Sequence, residues 1–104
     1  MRIYIAGKIS GIEEHIYRNK FANAEKHLRL LGHEVINPTY IRHLGLDENY
    51  RELIMDILGM ILTTCDAIYM LNDWTKSEGA QSEYWMAKEM GLKIYYQSDQ
   101  KLIL

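Results

Sequence analysis

Cysteine is almost missing from this chain: Cys65 is the only one in 104 residues. A single thiol cannot close an internal disulfide, and such sparse cysteine fits a reducing compartment, so a cytoplasmic location is expected. Proline also occurs once, at Pro38. There is no linker, repeat or low-complexity stretch, and one domain spanning residues 1–104 is expected. Excess charge is lacking too. Twelve basic against 14 acidic residues give a formal charge of −2, which argues against a partner made of nucleic-acid polymer. No apolar run approaches the roughly 20 residues of a membrane span. The opening Arg2-Ile3-Tyr4-Ile5-Ala6 reads as a strand, not as a charged-then-apolar leader, so neither a membrane anchor nor a signal peptide is expected. The histidines His15, His27, His33 and His43 show no ligand spacing among themselves or with Cys65, which points away from a metal site.

What is present is patterned. Ile3–Ala6 is a short apolar strand ending in Gly7. Tyr17, Phe21, Ala24, Leu28 and Leu31 recur at helical spacing, predicting a helix over 13–31 that stops at Gly32. A strand over 33–37 closes at Pro38, and a broadly apolar helix runs over about 47–64. A third strand over 66–71 leads through a polar loop into a helix reaching about Met90, and 92–96 makes a fourth strand. The tail 101–104 is a candidate fifth. Strands alternating with helices imply a parallel sheet covered on both faces. The expected fold is a flavodoxin-like or Rossmann-like three-layer sandwich with four or five strands. Met55 and Met60 lie off the main stripe of the middle helix, which suggests a homodimer or larger homo-oligomer.

Three places could carry chemistry. Glu83 is an acid near the start of the last helix, just beyond the third strand, four residues after Gly79 and followed by Ala87 and Gly91 at further spacings of four. Open α/β sheets hold ligands beyond the carboxyl ends of their strands. Pairing with Lys76 or Lys88 on a solvated surface is the bland account of Glu83. Against it stand the small Ala80, Ala87 and Gly91, which let the helix approach the sheet, and the polar group Asp73, Ser77 and Glu78. The first turn, Gly7-Lys8-Ile9-Ser10-Gly11, is either a tight strand-to-helix turn or an anion-binding loop. It lacks both the P-loop and the GxGxxG spacing. Asp56 faces either a thin exposed stripe or the end of a pocket. Trp74 and Tyr4 either pack or stack on a ligand ring, and Cys65 reads as a small apolar filler.

Ile3-Tyr4-Ile5-Ala6-Gly7, Asp66 at the third strand, and Gly79-Ala80-x-x-Glu83-x-x-x-Ala87-x-x-x-Gly91 together resemble the nucleoside 2-deoxyribosyltransferase family over most of the chain. The resemblance implies a flavodoxin-like fold and cleavage of the N-glycosidic bond of a 2-deoxynucleoside without metal or organic cofactor. Glu83 would be the nucleophile, Tyr4 would orient it, and Asp56 would hold or protonate the leaving base. Ser77 stands where the transferases usually carry an aspartate for the sugar 5′-hydroxyl. The related deoxynucleoside 5′-monophosphate N-glycosidases have a serine there, contacting phosphate. Their first loop is similar to Gly7-x-Ile9-x-Gly11, although Ser10 replaces their arginine and Lys8 falls elsewhere. A nucleoside or nucleotide is therefore the expected ligand, the 5′-monophosphate favoured, with Gly7, Lys8, Ser10, Gly11, Asp73, Ser77 and Gly79 as its binding residues. The tail is shorter than the one the transferases lend to a neighbouring pocket. Transfer between free bases and a silent nucleotide sensor are the alternatives to hydrolysis.

Overall fold

A computed structural model describes residues 1–42 and 51–99. Four strands, β1 (Arg2–Ala6), β2 (Glu34–Ile36), β3 (Ala67–Met70) and β4 (Lys93–Tyr96), form one parallel sheet in the order β2-β1-β3-β4. That order is the flavodoxin-like one, so the three-layer expectation holds and the Rossmann alternative falls away. The candidate fifth strand and the start of the middle helix at 47–50 lie outside the described residues.

The central strands show why the sheet sits inside. Every residue of β3 is buried, as are Ile3 to Ala6 of β1, the continuous apolar pattern of a strand covered on both faces. Side chains alternate between faces. Ile3 and Ile5, with Ala67 and Tyr69, pack against Phe21, Ala24 and Leu28 of α1 (Glu14–Leu30). Tyr4 and Ala6, with Ile68 and Met70, meet α3 (Arg51–Leu62) and α4 (Glu78–Glu89) on the other side.

The strand order explains this division. From β1 the chain steps to β2 on one side, whereas β2 to β3 and β3 to β4 step the opposite way. Right-handed crossovers then place α1 on one face and α3 with α4 on the other. The direction of travel reverses between β1 and β3, which opens a crevice above their carboxyl ends.

Helix ends deviate from the sequence pattern for local reasons. α3 stops at Leu62, because the hydroxyls of Thr63 and Thr64 turn back to donate to the carbonyls of Met60 and Ile61. α4 begins where Ser77 accepts the Ala80 amide at 3.1 Å, and it ends before Gly91, whose φ of 77° no larger residue adopts cheaply. A single turn, α2 (Thr39–Arg42), follows β2 and was not apparent from periodicity. Its start is fixed by the buried Asn37, whose side-chain oxygen accepts from the Thr39 amide at 3.0 Å and its hydroxyl at 2.6 Å.

That corner is tied to α1 through Glu25, which accepts from Asn37 at 3.0 Å, Tyr40 at 2.6 Å and Arg29 at 2.7 Å. Burial alone would raise the Glu25 carboxyl, but the hydrogen bonds from Tyr40, Arg29 and Asn37 outweigh it and hold the group below its ordinary value of 4.5. A carboxyl depressed by folding stabilises the native state above its unfolded value, and the contribution disappears as pH falls through the folded value. In thermal melts, Glu25→Gln is therefore expected to melt below the wild type near neutral pH, with the gap closing under acid. A gap constant down to about pH 3 would show that the carboxylate charge contributes nothing.

Candidate active site

Two elements meet at Glu83. The period-2 alternation of β1 turns Tyr4 toward α4, and helical spacing places Ala80, Glu83 and Ala87 on the side of α4 that faces the sheet. Tyr4 is wholly buried and Glu83 is 6% exposed. The Tyr4 hydroxyl donates to Glu83 Oε2. A carboxylate withdrawn from water needs such donors, and a hydrogen bond to a charged group stabilises by about 1.5–3 kcal/mol. The bond also fixes which way the carboxylate points.

Glu83 forms part of the wall of a cavity of about 320 Å³ above the carboxyl ends of β1 and β3. That size is at the lower end of the about 300–1,000 Å³ usual for small-molecule sites. Gly7, Lys8, Ile9 and Ser10 enclose it from the first loop, Pro38 from the corner after β2, and Met55 and Leu58 from α3. The remaining wall is Lys76 to Ala80 and Glu83. The lining thus has two kinds of group. Ile9, Pro38, Met55 and Leu58 offer apolar surface fit for a flat ring. Lys8, Lys76, Ser10 and Ser77, with the positive end of α4, offer cationic and hydroxyl groups fit for an anion, and Glu78 stands among them as a second acid of the lining beside Glu83. Ser77 uses its oxygen to cap α4, yet its hydroxyl proton can still be donated to a ligand.

Gly7, Lys8, Ser10, Ser77, Gly79 and Glu83 all line this cavity, and Tyr4 stands directly behind Glu83. Three other expected residues do not. Asp56 is exposed on α3. At about 100° per residue it lies nearly opposite the buried Ile54, while its neighbour Met55 turns to the cavity. Gly11 is exposed at the tip of the first loop, outside the lining. Asp73 does not line the cavity either: its carboxylate accepts the Lys8 amide at 3.0 Å and pairs with Lys20.

The stacking readings also change. Trp74 lies on Tyr84, ring centroids 4.7 Å apart and 23° between planes, and leans toward Tyr96 at 6.3 Å. Met55, grouped with Met60 as an interface residue, instead belongs to the cavity. Cys65 is 6% exposed, and burial pushes its thiol up, as befits a filler and not a nucleophile. Pro38, Leu58, Ile9 and Lys76 were overlooked as lining. Pro38 had a usable signal, since the sole proline directly follows a strand whose carboxyl end borders the crevice. Lys20 had none.

A flavodoxin-like α/β domain carrying a buried glutamate on a ligand-sized cavity is the class that this fold and site define. Residues 1–96 match the family described as a domain of unknown function, DUF4406, and the chain belongs to that family. No curated protein matches the chain.

Two glycines in the lining obey different constraints. A Cβ on Gly7 would sit 2.7 Å from Leu71 Cδ1 and 3.0 Å from its Cβ, and Leu71 is fully buried. A Cβ on Gly79 would meet nothing closer than 3.9 Å. Gly7→Ala is expected to lower unfolding stability by about 1–3 kcal/mol through overpacking. Gly79→Ala should leave stability unchanged or raise it by up to about 1 kcal/mol through helix propensity. Urea unfolding of both variants checks the contrast; equal effects would overturn it.

Proposed function

We propose that this protein cleaves the N-glycosidic bond of a 2′-deoxynucleoside 5′-monophosphate through a covalent intermediate on Glu83. The observation that carries the reading is the buried Glu83 carboxylate, oriented by Tyr4, in the wall of a cavity whose lining supplies apolar groups suited to a base and cationic and hydroxyl groups suited to an anion. Resemblance of the Gly79-to-Gly91 segment to the nucleoside 2-deoxyribosyltransferases supports it independently.

In this mechanism a Glu83 oxygen forms a bond to the anomeric carbon as the bond to the base nitrogen breaks. The base departs with that electron pair and takes a proton from solvent. Positive charge developing on the sugar is stabilised by the same carboxylate. Water then attacks the anomeric carbon as the bond to Glu83 breaks, loses a proton to solvent, returns the carboxylate and gives deoxyribose 5-phosphate with net retention. A free base in place of water would give transfer. Tyr4 holds the nucleophile in line throughout and stabilises it as the departing carboxylate. Lys8, Ser10 and Ser77 receive the phosphate, with Gly79 leaving room beside them.

The position of Asp56 favours a second reading. With that carboxylate outside the cavity, no expected acid reaches the leaving base within one subunit, and a binder that senses deoxynucleotides without turnover would have the same pocket. Self-association bears on the choice. Leu53 and Met60 on α3 are 48% and 71% exposed, and Asp56 lies between them on the outward face. We place a homodimer contact there, where Asp56 would serve a neighbouring site. Cytoplasmic nucleotide metabolism is the setting this reading implies; among the described residues no helix is long and apolar enough to cross a membrane.

The test is incubation with the four deoxynucleoside 5′-monophosphates and their nucleosides, with and without added free base, following base release by chromatography. Release should fall by at least about a thousandfold in a folded Glu83→Ala variant. Consumption of the added base would identify transfer. No release from any substrate, with clear thermal stabilisation by the monophosphates, would establish the sensor instead.

A further inference from the structure

We infer that Lys20 and Asp73 form a clamp that sets Lys8 as the phosphate-selecting cation of the cavity; the inference rests on the monophosphate reading above. Three separate segments meet in this clamp: the loop after β1, the α1 helix, and the loop after β3. The Lys8 peptide is gripped at both ends. Its N–H donates to Asp73 Oδ1 at 3.0 Å, and its carbonyl accepts from Lys20 Nζ at 2.8 Å. Lys20 closes the ring by donating to the other Asp73 oxygen, Oδ2. Side-chain exposures of 23% for Lys20 and 26% for Asp73 leave the pair less screened than one in open solvent.

The charges make the arrangement selective. Asp73 is neutralised by Lys20 and is not left to pair with the ammonium of Lys8. Among the described residues no carboxylate lies within ion-pairing distance of Lys8 Nζ, whose hydrogen bond goes to the Lys76 carbonyl at 3.3 Å. Lys8 therefore keeps its charge for a ligand, in a loop held rigid beneath it. Removing Lys20 would do two things: release one end of the Lys8 peptide, and leave the Asp73 carboxylate uncompensated beside the anion subsite. The second effect repels phosphate and leaves an uncharged sugar alone. Lys20 and Asp73 are positioning residues, since neither lines the cavity.

Titration calorimetry with a deoxynucleoside 5′-monophosphate and the matching nucleoside tests this on the full chain. Lys20→Met should weaken monophosphate binding by about tenfold and nucleoside binding by less than about twofold. Lys20→Arg should retain the phosphate preference. The signature is in the double variant: Lys20→Met with Asp73→Asn removes the uncompensated carboxylate and should recover part of the lost preference, whereas a merely structural pair would lose more. Equal losses for both ligands, no change in Lys20→Met, or a double variant worse than the single one would each overturn the clamp. If Lys20→Met fails to fold, Lys20→Arg and Asp73→Asn decide, because the inference requires both to keep the preference. Wild-type protein that binds nucleosides without preferring the phosphate overturns the clamp alone. Wild-type protein that binds neither ligand overturns the functional reading, and the clamp's role with it.

Discussion

A carboxylate removed from water constrains everything around it. Glu83 is nearly inaccessible, so its charge must be met by protein donors, and Tyr4 reaches it from the middle of the sheet. This contact links the central strand β1 to α4 beyond their shared apolar packing. It demands that Tyr4 occupy the α4 side of β1, which fixes Ile3 and Ile5 on the α1 side. A slip of one residue in β1 would bury an apolar side chain against the carboxylate and turn the tyrosine toward α1. The register of β1 against β3, Tyr4 opposite Ile68, is thus tied to the Tyr4–Glu83 bond as well as to the core.

Around that contact the molecule divides its labour between rigid and polar parts. The sheet and the small residues Ala80 and Ala87, both buried, bring α4 close to the strands. The first loop crosses directly over Leu71, so close that a Cβ at position 7 would force Leu71 to shift. Side-chain bonds then hold the loops that a small domain cannot bury. Asp73 and Lys20 hold the Lys8 peptide, and Glu25 holds the corner that presents Pro38. Each loop lining the cavity is therefore fastened to α1, the helix on the far face of the sheet. That helix contributes no wall to the cavity and yet braces two of its sides.

Much of this was legible in the amino-acid order. The alternation of short apolar strands with periodic helices identifies a parallel sheet, because burial on both faces leaves no other solution for such segments. The place of Glu83 at the cavity was legible from its position after a buried strand and among small residues; that of Gly7, Lys8 and Ser10 followed from the glycine-bounded first turn, and that of Ser77 and Gly79 from the resemblance of the segment leading to Glu83. Asp56 and Asp73 show where that reasoning fails. Proximity in sequence to an apolar helix or a polar loop does not say which way a carboxylate turns. One residue of rotation sends Asp56 outward while Met55 faces the cavity, and a partner from a distant helix draws Asp73 away from the lining.

By itself the sequence determined the elements, the faces they bury and the place of Glu83 just beyond a buried strand, since hydrophobic period and strand-end position are properties of neighbours along the chain. The tertiary structure alone decided what each polar group answers to: Tyr4 to Glu83, Lys20 to Asp73, Asn37 and Tyr40 to Glu25. These pairs join residues from 12 to 79 positions apart. Their formation depends on how α1 and the loops close over the sheet, and no local pattern encodes a distance of that kind.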